Sequence, residues 1–138
     1  MTKDRFRFRV WDTEKKEMIY GAEMAYDYMR LCPGGKIIEE NCFGDVLENK
    51  RYIVEQCTGL KDKNGRMIYE GDIVKRHSKY SEDEKDVVLQ VEWNRKGARY
   101  ITTDKKHDSW IFSMFDYEYE ILGNIHETPE MLEVNNGK

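Results

Sequence analysis

The chain has 138 residues, of which 39% are hydrophobic, 36% charged and 12% aromatic, with a formal net charge of −4 and a pI of about 5.5. That length fits one domain burying roughly two thirds of its unfolded surface, and nine Tyr, five Phe and three Trp exclude a disordered chain. The acidic balance excludes a non-specific electrostatic nucleic-acid binder, whose domain pI usually lies above ~9.

At the start, Met1-Thr2-Lys3-Asp4-Arg5 has no apolar region of a signal peptide, and no apolar run approaches the ~18 residues of a membrane span. A soluble cytoplasmic protein with no membrane partner is expected. Phe6, Phe8 and Val10 alternate with Arg5, Arg7 and Arg9, which predicts a strand with one buried face and a solvated arginine face. Asp12 to Glu17 is a polar connection, and Met18-Ile19-Tyr20 is the returning strand of a hairpin. Ala22 to Leu31 reads as a short helix or loop, ended by Pro33-Gly34-Gly35. Lys36 to Glu39 reads as a short strand and Gly44 to Asn49 as a turn.

Arg51 to Cys57 is a strand that feeds Thr58-Gly59-Leu60-Lys61-Asp62-Lys63-Asn64-Gly65. Asn64-Gly65 suits a type I′ hairpin turn. A type I turn opened by Asp62, with Gly65 left-handed in a G1 bulge, is the competing solution. Asp62-x-Asn64-Gly65 also invites comparison with a calcium loop. With Gly65 at loop position six, however, Leu60 and Gly71 fall where carboxylates are needed, so the turn reading stands. Glu70-Gly71-Asp72 is the next break, before a strand from Ile73.

The run from Thr58 to Gly65, followed by Ile68-Tyr69-Glu70-Gly71-Asp72-Ile73-Val74, resembles the signature of the YopX-like proteins of phages and prophages. Phe8-Arg9-Val10-Trp11-Asp12 with Met18-Ile19-Tyr20, and the stretch from Tyr119 to Leu132, resemble the two ends of the same family. The resemblance implies a phage or prophage accessory protein in the host-cell cytoplasm. It implies no biochemical activity.

Ser78 to Asp86 is a charged surface loop, expected to be mobile. Val87, Leu89, Val91 and Trp93 share one face of the clearest strand. Asn94 to Gly97 is a hairpin turn, and Ala98 to Thr103 returns with Tyr100 and Thr102 on one side. Lys105 to Asp108 is polar; Trp110 to Phe115 is apolar and reads as strand or helical turn. Tyr117 to Ile125 is the final strand, and Thr128 with Pro129 begins a short helix.

The residues carry no catalytic signature. His77, His107 and His126 fall in loops or element ends, and no GxGxxG, Walker A or HExxH is present. Cys32, Cys42 and Cys57 lack zinc-finger spacing and read as reduced thiols. No metal or other cofactor is expected. Glu118 and Glu120 share a strand face, read as its wet side.

The expected fold is mainly β: a small bent antiparallel sheet or SH3-like barrel, with an N-terminal β-hairpin and a little helix. Residues 1–138 form one domain, with the hairpin and a variable segment in 1–50 and the β core in 51–134. Seventeen aromatic rings are more than one small core is expected to bury. They point to a non-enzymatic protein-binding or regulatory module. Its partner is a host or phage protein or a second copy of itself, in a homo-oligomer. Trp93, Tyr100, Trp110, Tyr117 and Tyr119 are the candidate binding residues. Single-stranded nucleic acid stacked on the same rings of a small barrel is the alternative.

Overall fold

Alternating side chains and turn residues every eight to twelve positions build an almost purely antiparallel structure. The computed structural model describes residues 7–23, 50–105 and 110–136. The expectations for residues 24–49, for His107 and for the thiols of Cys32 and Cys42 lie outside those residues. The chain divides into two compact units, Met1–Gly59 and Leu60–Lys138.

In the first unit, β1 (Arg7–Asp12) pairs with β2 (Glu17–Glu23) as the expected hairpin and, on its other side, with β3 (Tyr52–Lys61). Val10, Trp11, Ile19, Tyr52 and Cys57 are buried. The solvated arginine face is corrected at Arg9, whose side chain is 1% exposed. As the central strand, β1 has neighbours on both sides, and Glu55 stands opposite Arg9 in the β1–β3 register. Arg9 Nε donates to Glu55 Oε1 at 2.9 Å, so the buried charge is compensated across the ladder. Arg7, two residues earlier, is exposed.

Asp12 is 2% exposed at the end of β1. It receives the Glu14 and Lys15 N–H groups and a two-pronged contact from Arg51, with Nε at 3.0 Å and Nη2 at 2.9 Å. The Arg51 guanidinium, followed by the two backbone donors, holds the carboxyl below the usual aspartate range despite its burial.

In the second unit, β4 (Met67–Tyr69) follows the tight turn, and five strands make a sheet in the order β8-β7-β6-β5-β9. These are β5 (Asp72–Ser78), β6 (Val87–Asn94), β7 (Arg99–Thr103), β8 (Trp110–Ile111) and β9 (Tyr117–Asn124). The apolar stretch after 109 is thus a two-residue strand followed by a turn. Ile68, Val74, Leu89, Val91, Tyr119 and Ile121 form the core. The helix α1 (Glu130–Asn136) packs against β6.

Asp62 selects between the two turn geometries. Its carbonyl accepts Gly65 N–H at 3.0 Å, its Oδ1 accepts Asn64 and Arg66 N–H at 2.9 Å each, and its own N–H bonds Arg66 O at 2.8 Å. Gly65 has φ +83° whereas Asn64 keeps a negative φ, which is the type I turn with a G1 bulge. Asp62 Oδ2 then reaches 59 residues along the chain to Ile121 N–H at 3.0 Å, and Lys63 N–H bonds Tyr119 O at 2.8 Å. The outer edge of β9 is therefore occupied by the turn. Asp72 closes the next corner by accepting Tyr69 N–H at 2.8 Å.

Candidate functional site

The sheet of the second unit positions most of the aromatic residues singled out in the sequence, and it distributes them among different environments. Trp93 and Tyr100 are directly opposed in the β6–β7 register, near the hairpin that joins those strands. Their rings meet edge to face, with centroids 5.0 Å apart and planes at 68°. Trp93 is 42% exposed, while Tyr100 is half-buried and packs against the core. The hairpin between them adds Arg95, Lys96 and Arg99, all exposed. Its turn is closed by Gly97 N–H on Asn94 Oδ1 at 2.8 Å.

Tyr117 is half-buried beneath the Arg76 guanidinium, which lies 4.2 Å from its ring centroid. A hydrogen bond to the Glu84 carboxylate, then burial, raises its phenol above the usual range. Tyr119 belongs to the core, not to a surface: it is 0% exposed, in edge contact with Phe112 at 4.8 Å, with its phenol raised by burial. The sequence placed Tyr119 beside Tyr117 on alternation grounds. The two do share a strand face, but Tyr119 lies within the core cluster, whereas Tyr117 stands at the first position of β9 and is only partly covered. Trp110 has its backbone opposite Thr102 in β8; its side chain lies outside the described residues. Trp93 and Tyr100 are thus the candidate residues that the structure brings together at a surface.

A polar depression of about 270 Å³ opens between β5 and β9, lined by Lys63, Lys75, His77, Asp86, Glu118 and Glu120. Its charges are largely engaged with each other. Lys75 Nζ lies 3.2 Å and Lys63 Nζ 4.0 Å from Glu120 Oε1, and His77 Nδ1 is 2.6 Å from Asp86 Oδ1. Such half-exposed pairs contribute little energy but fix side-chain positions. Among the described residues no three His, Cys, Asp or Glu side chains converge as a metal site. Cys57 is buried, and its Sγ accepts Gly59 N–H at 3.3 Å.

The sequence reading missed the two most exposed rings among the described residues, Tyr80 at 80% and Phe115 at 85%. Tyr80 was hidden among loop charges, and Phe115 ended an apolar run that read as strand or helical turn.

The family model for the YopX protein matches residues 7–133. The chain belongs to the YopX family. Two solved structures share its fold. Protein EF1440 from Enterococcus faecalis is 27% identical, with a TM-score of 0.59 over 92% of this chain and 97% of that one. YopX from Bacillus subtilis is 22% identical, with a TM-score of 0.55 over 91% and 97%. No curated protein matches the chain. The family's recognisable residues can now be placed. Asp12, Asp62 and Asp72 all close turns, and Arg9 is a buried ion-pair partner. The motif that identifies this YopX-family chain is a scaffold. No helix among the described residues is long and apolar enough to cross a membrane.

Proposed function

We propose that this YopX-family chain is a non-enzymatic binding module acting through protein contacts, including contacts with its own copies. The supporting observation is the Trp93–Tyr100 pair. A tryptophan 42% exposed, braced by a tyrosine that is itself packed on the core, is a preorganised anchor. Trp and Tyr lose little side-chain entropy on binding and dominate interface hot spots. The ion-paired depression between β5 and β9 supports a structural role better than acid–base chemistry, because its lysines share Glu120 and its histidine is held on Asp86. With the family resemblance, the role becomes that of a phage or prophage accessory protein working in the host cytoplasm.

One observation favours a second reading. Arg95, Lys96 and Arg99 flank the same aromatic pair, an arrangement that could stack and neutralise single-stranded nucleic acid. Sedimentation velocity of the purified protein, alone and with a short single-stranded oligonucleotide, separates the two. Self-association that persists at moderate salt supports the protein-binding reading. A monomer that shifts only with oligonucleotide, and loses the shift as salt rises, supports the second.

A further inference from the structure

Three exposed cations stand at the tip of the β6–β7 hairpin, beyond the Trp93–Tyr100 pair. Arg95 and Lys96 lie in the turn. Arg99 is opposite Asn94 in the register, and its Nε would be 3.4 Å from a Cβ placed on Gly97, so its guanidinium runs back along the turn. Glu92 is the only acidic residue between Val91 and Thr103, and it is matched by Lys105 Nζ at 2.6 Å. Among the described residues, none of the three cations has an ion-pair partner. The whole chain carries a net charge of −4, so the hairpin tip is a positive spot on an acidic molecule.

The complementary charge lies in the same unit. No Lys or Arg occurs between Lys106 and Lys138. Within that stretch Glu120 is engaged by Lys75 and Lys63. Glu130 and Glu133 of α1 are different: both are exposed and, among the described residues, neither has an ion-pair partner. Standing three positions apart on a helix, they are neighbours on its surface. Pro129, also exposed, adds apolar area next to Glu130. One chain thus presents an apolar anchor ringed by unmatched cations, and elsewhere an apolar residue beside unmatched carboxylates.

We infer that the Trp93 hairpin of one copy docks on the surface of residues 129–133 of a second copy. Trp93 supplies the anchor, and Arg95, Lys96 and Arg99 meet Glu130 and Glu133. Hairpin against hairpin would oppose like charges. Single-stranded nucleic acid would find one exposed indole at this hairpin, with Tyr100 half-buried, instead of the row of rings on which successive bases stack. This rests on the reading of the chain as a protein-binding module, and it names the partner and the surface that Trp93 meets.

The test is sedimentation velocity of the full chain over a concentration series at moderate salt. Arg95→Glu with Lys96→Glu and Arg99→Glu reverses the hairpin, and Glu130→Lys with Glu133→Lys reverses the helix. Each variant alone should self-associate about tenfold more weakly than wild type, or worse. Mixed in equal amounts, the two should associate as wild type does, because each reversed surface then meets an opposite charge. Lysines in the first turn of α1 oppose its dipole, so Glu130→Gln with Glu133→Gln serves as a second helix variant. It should keep the melting temperature and still weaken association. Three results overturn the inference and leave the protein-binding reading standing: association that survives hairpin reversal, association unchanged in the glutamine variant, or a mixture of folded variants that stays dissociated. A monomeric wild type overturns both, and oligonucleotide binding by that monomer would assign the hairpin to nucleic acid.

Discussion

The Asp62 carboxylate accepts three backbone N–H groups, from Asn64, Arg66 and Ile121. Removing it strands donors in a site only 6% exposed. Asp62→Ala should therefore cost about 3 kcal/mol, and Asp62→Asn somewhat less, since an amide nitrogen would face one of those donors. Urea unfolding checks this; a loss below about 1 kcal/mol for Asp62→Ala would contradict the role. Gly65 tests the same turn differently. A Cβ there meets nothing within 4 Å, so Gly65→Val loses only through its left-handed φ of +83°, about 1–2 kcal/mol. An unchanged melting temperature would overturn that. Asp12 adds a pH dependence. Arg51 lowers its folded pKa, so its stabilisation is complete above the unfolded value of about 3.9 and disappears as pH falls through the lower folded value. Asp12→Asn should flatten the urea midpoint against pH below about 4 and leave the shape of the curve near neutrality unchanged. At this scale the sequence was legible for turns, because Asp, Asn and Gly act on their own backbone. Arg9 was not: period-two patterning names its face, but cannot show that the facing strand supplies Glu55.

Elements were legible where both apolar alternation and turn chemistry were present. The β1–β2 hairpin, β5, β6, β7 and β9 all follow that pattern. What alternation could not convey is packing on both sides of one strand: the sequence put Val87, Leu89, Val91 and Trp93 on one face of β6, and Val88 and Gln90 on its other face are buried as well as Leu89 and Val91. The join between β9 and α1 was only half legible. Thr128 does stand at the helix start, but its hydroxyl turns back to the β9 end, where Oγ1 accepts Asn124 N–H at 3.2 Å. Asn124 Oδ1 accepts His126 and Glu127 N–H at 3.0 and 2.9 Å, which completes the corner. Gly123 is required by this corner, since a Cβ there would lie 1.9 Å from Thr128 Oγ1. Gly123→Ala should cost about 1–3 kcal/mol by overpacking. In a Thr128→Ala background the same change should cost measurably less, because the colliding oxygen is gone. Additive losses in that double-mutant cycle would rule out the collision as the cause.

For the whole molecule, scaffold and surface are separate. Family-like residues close turns and neutralise buried charge, and Trp93, Tyr80 and Phe115 stand exposed outside the core. The candidate site was legible only in part. The sequence named Trp93 and Tyr100, and their register made them a pair. It also named Tyr119, which lies in the core, and passed over Tyr80 and Phe115, which stand exposed in a bend and a turn outside the strands. The central claim is that Trp93 anchors a protein interface. Trp93→Ala removes a ring from an exposed strand end and should leave the core of Leu89, Val91 and Tyr119 intact. The most direct measurement is sedimentation velocity of Trp93→Ala beside wild type at moderate salt. The expected result is an associated wild type and a variant that sediments as a smaller species. A variant that sediments as wild type does, or a wild type that is itself monomeric, would contradict the claim.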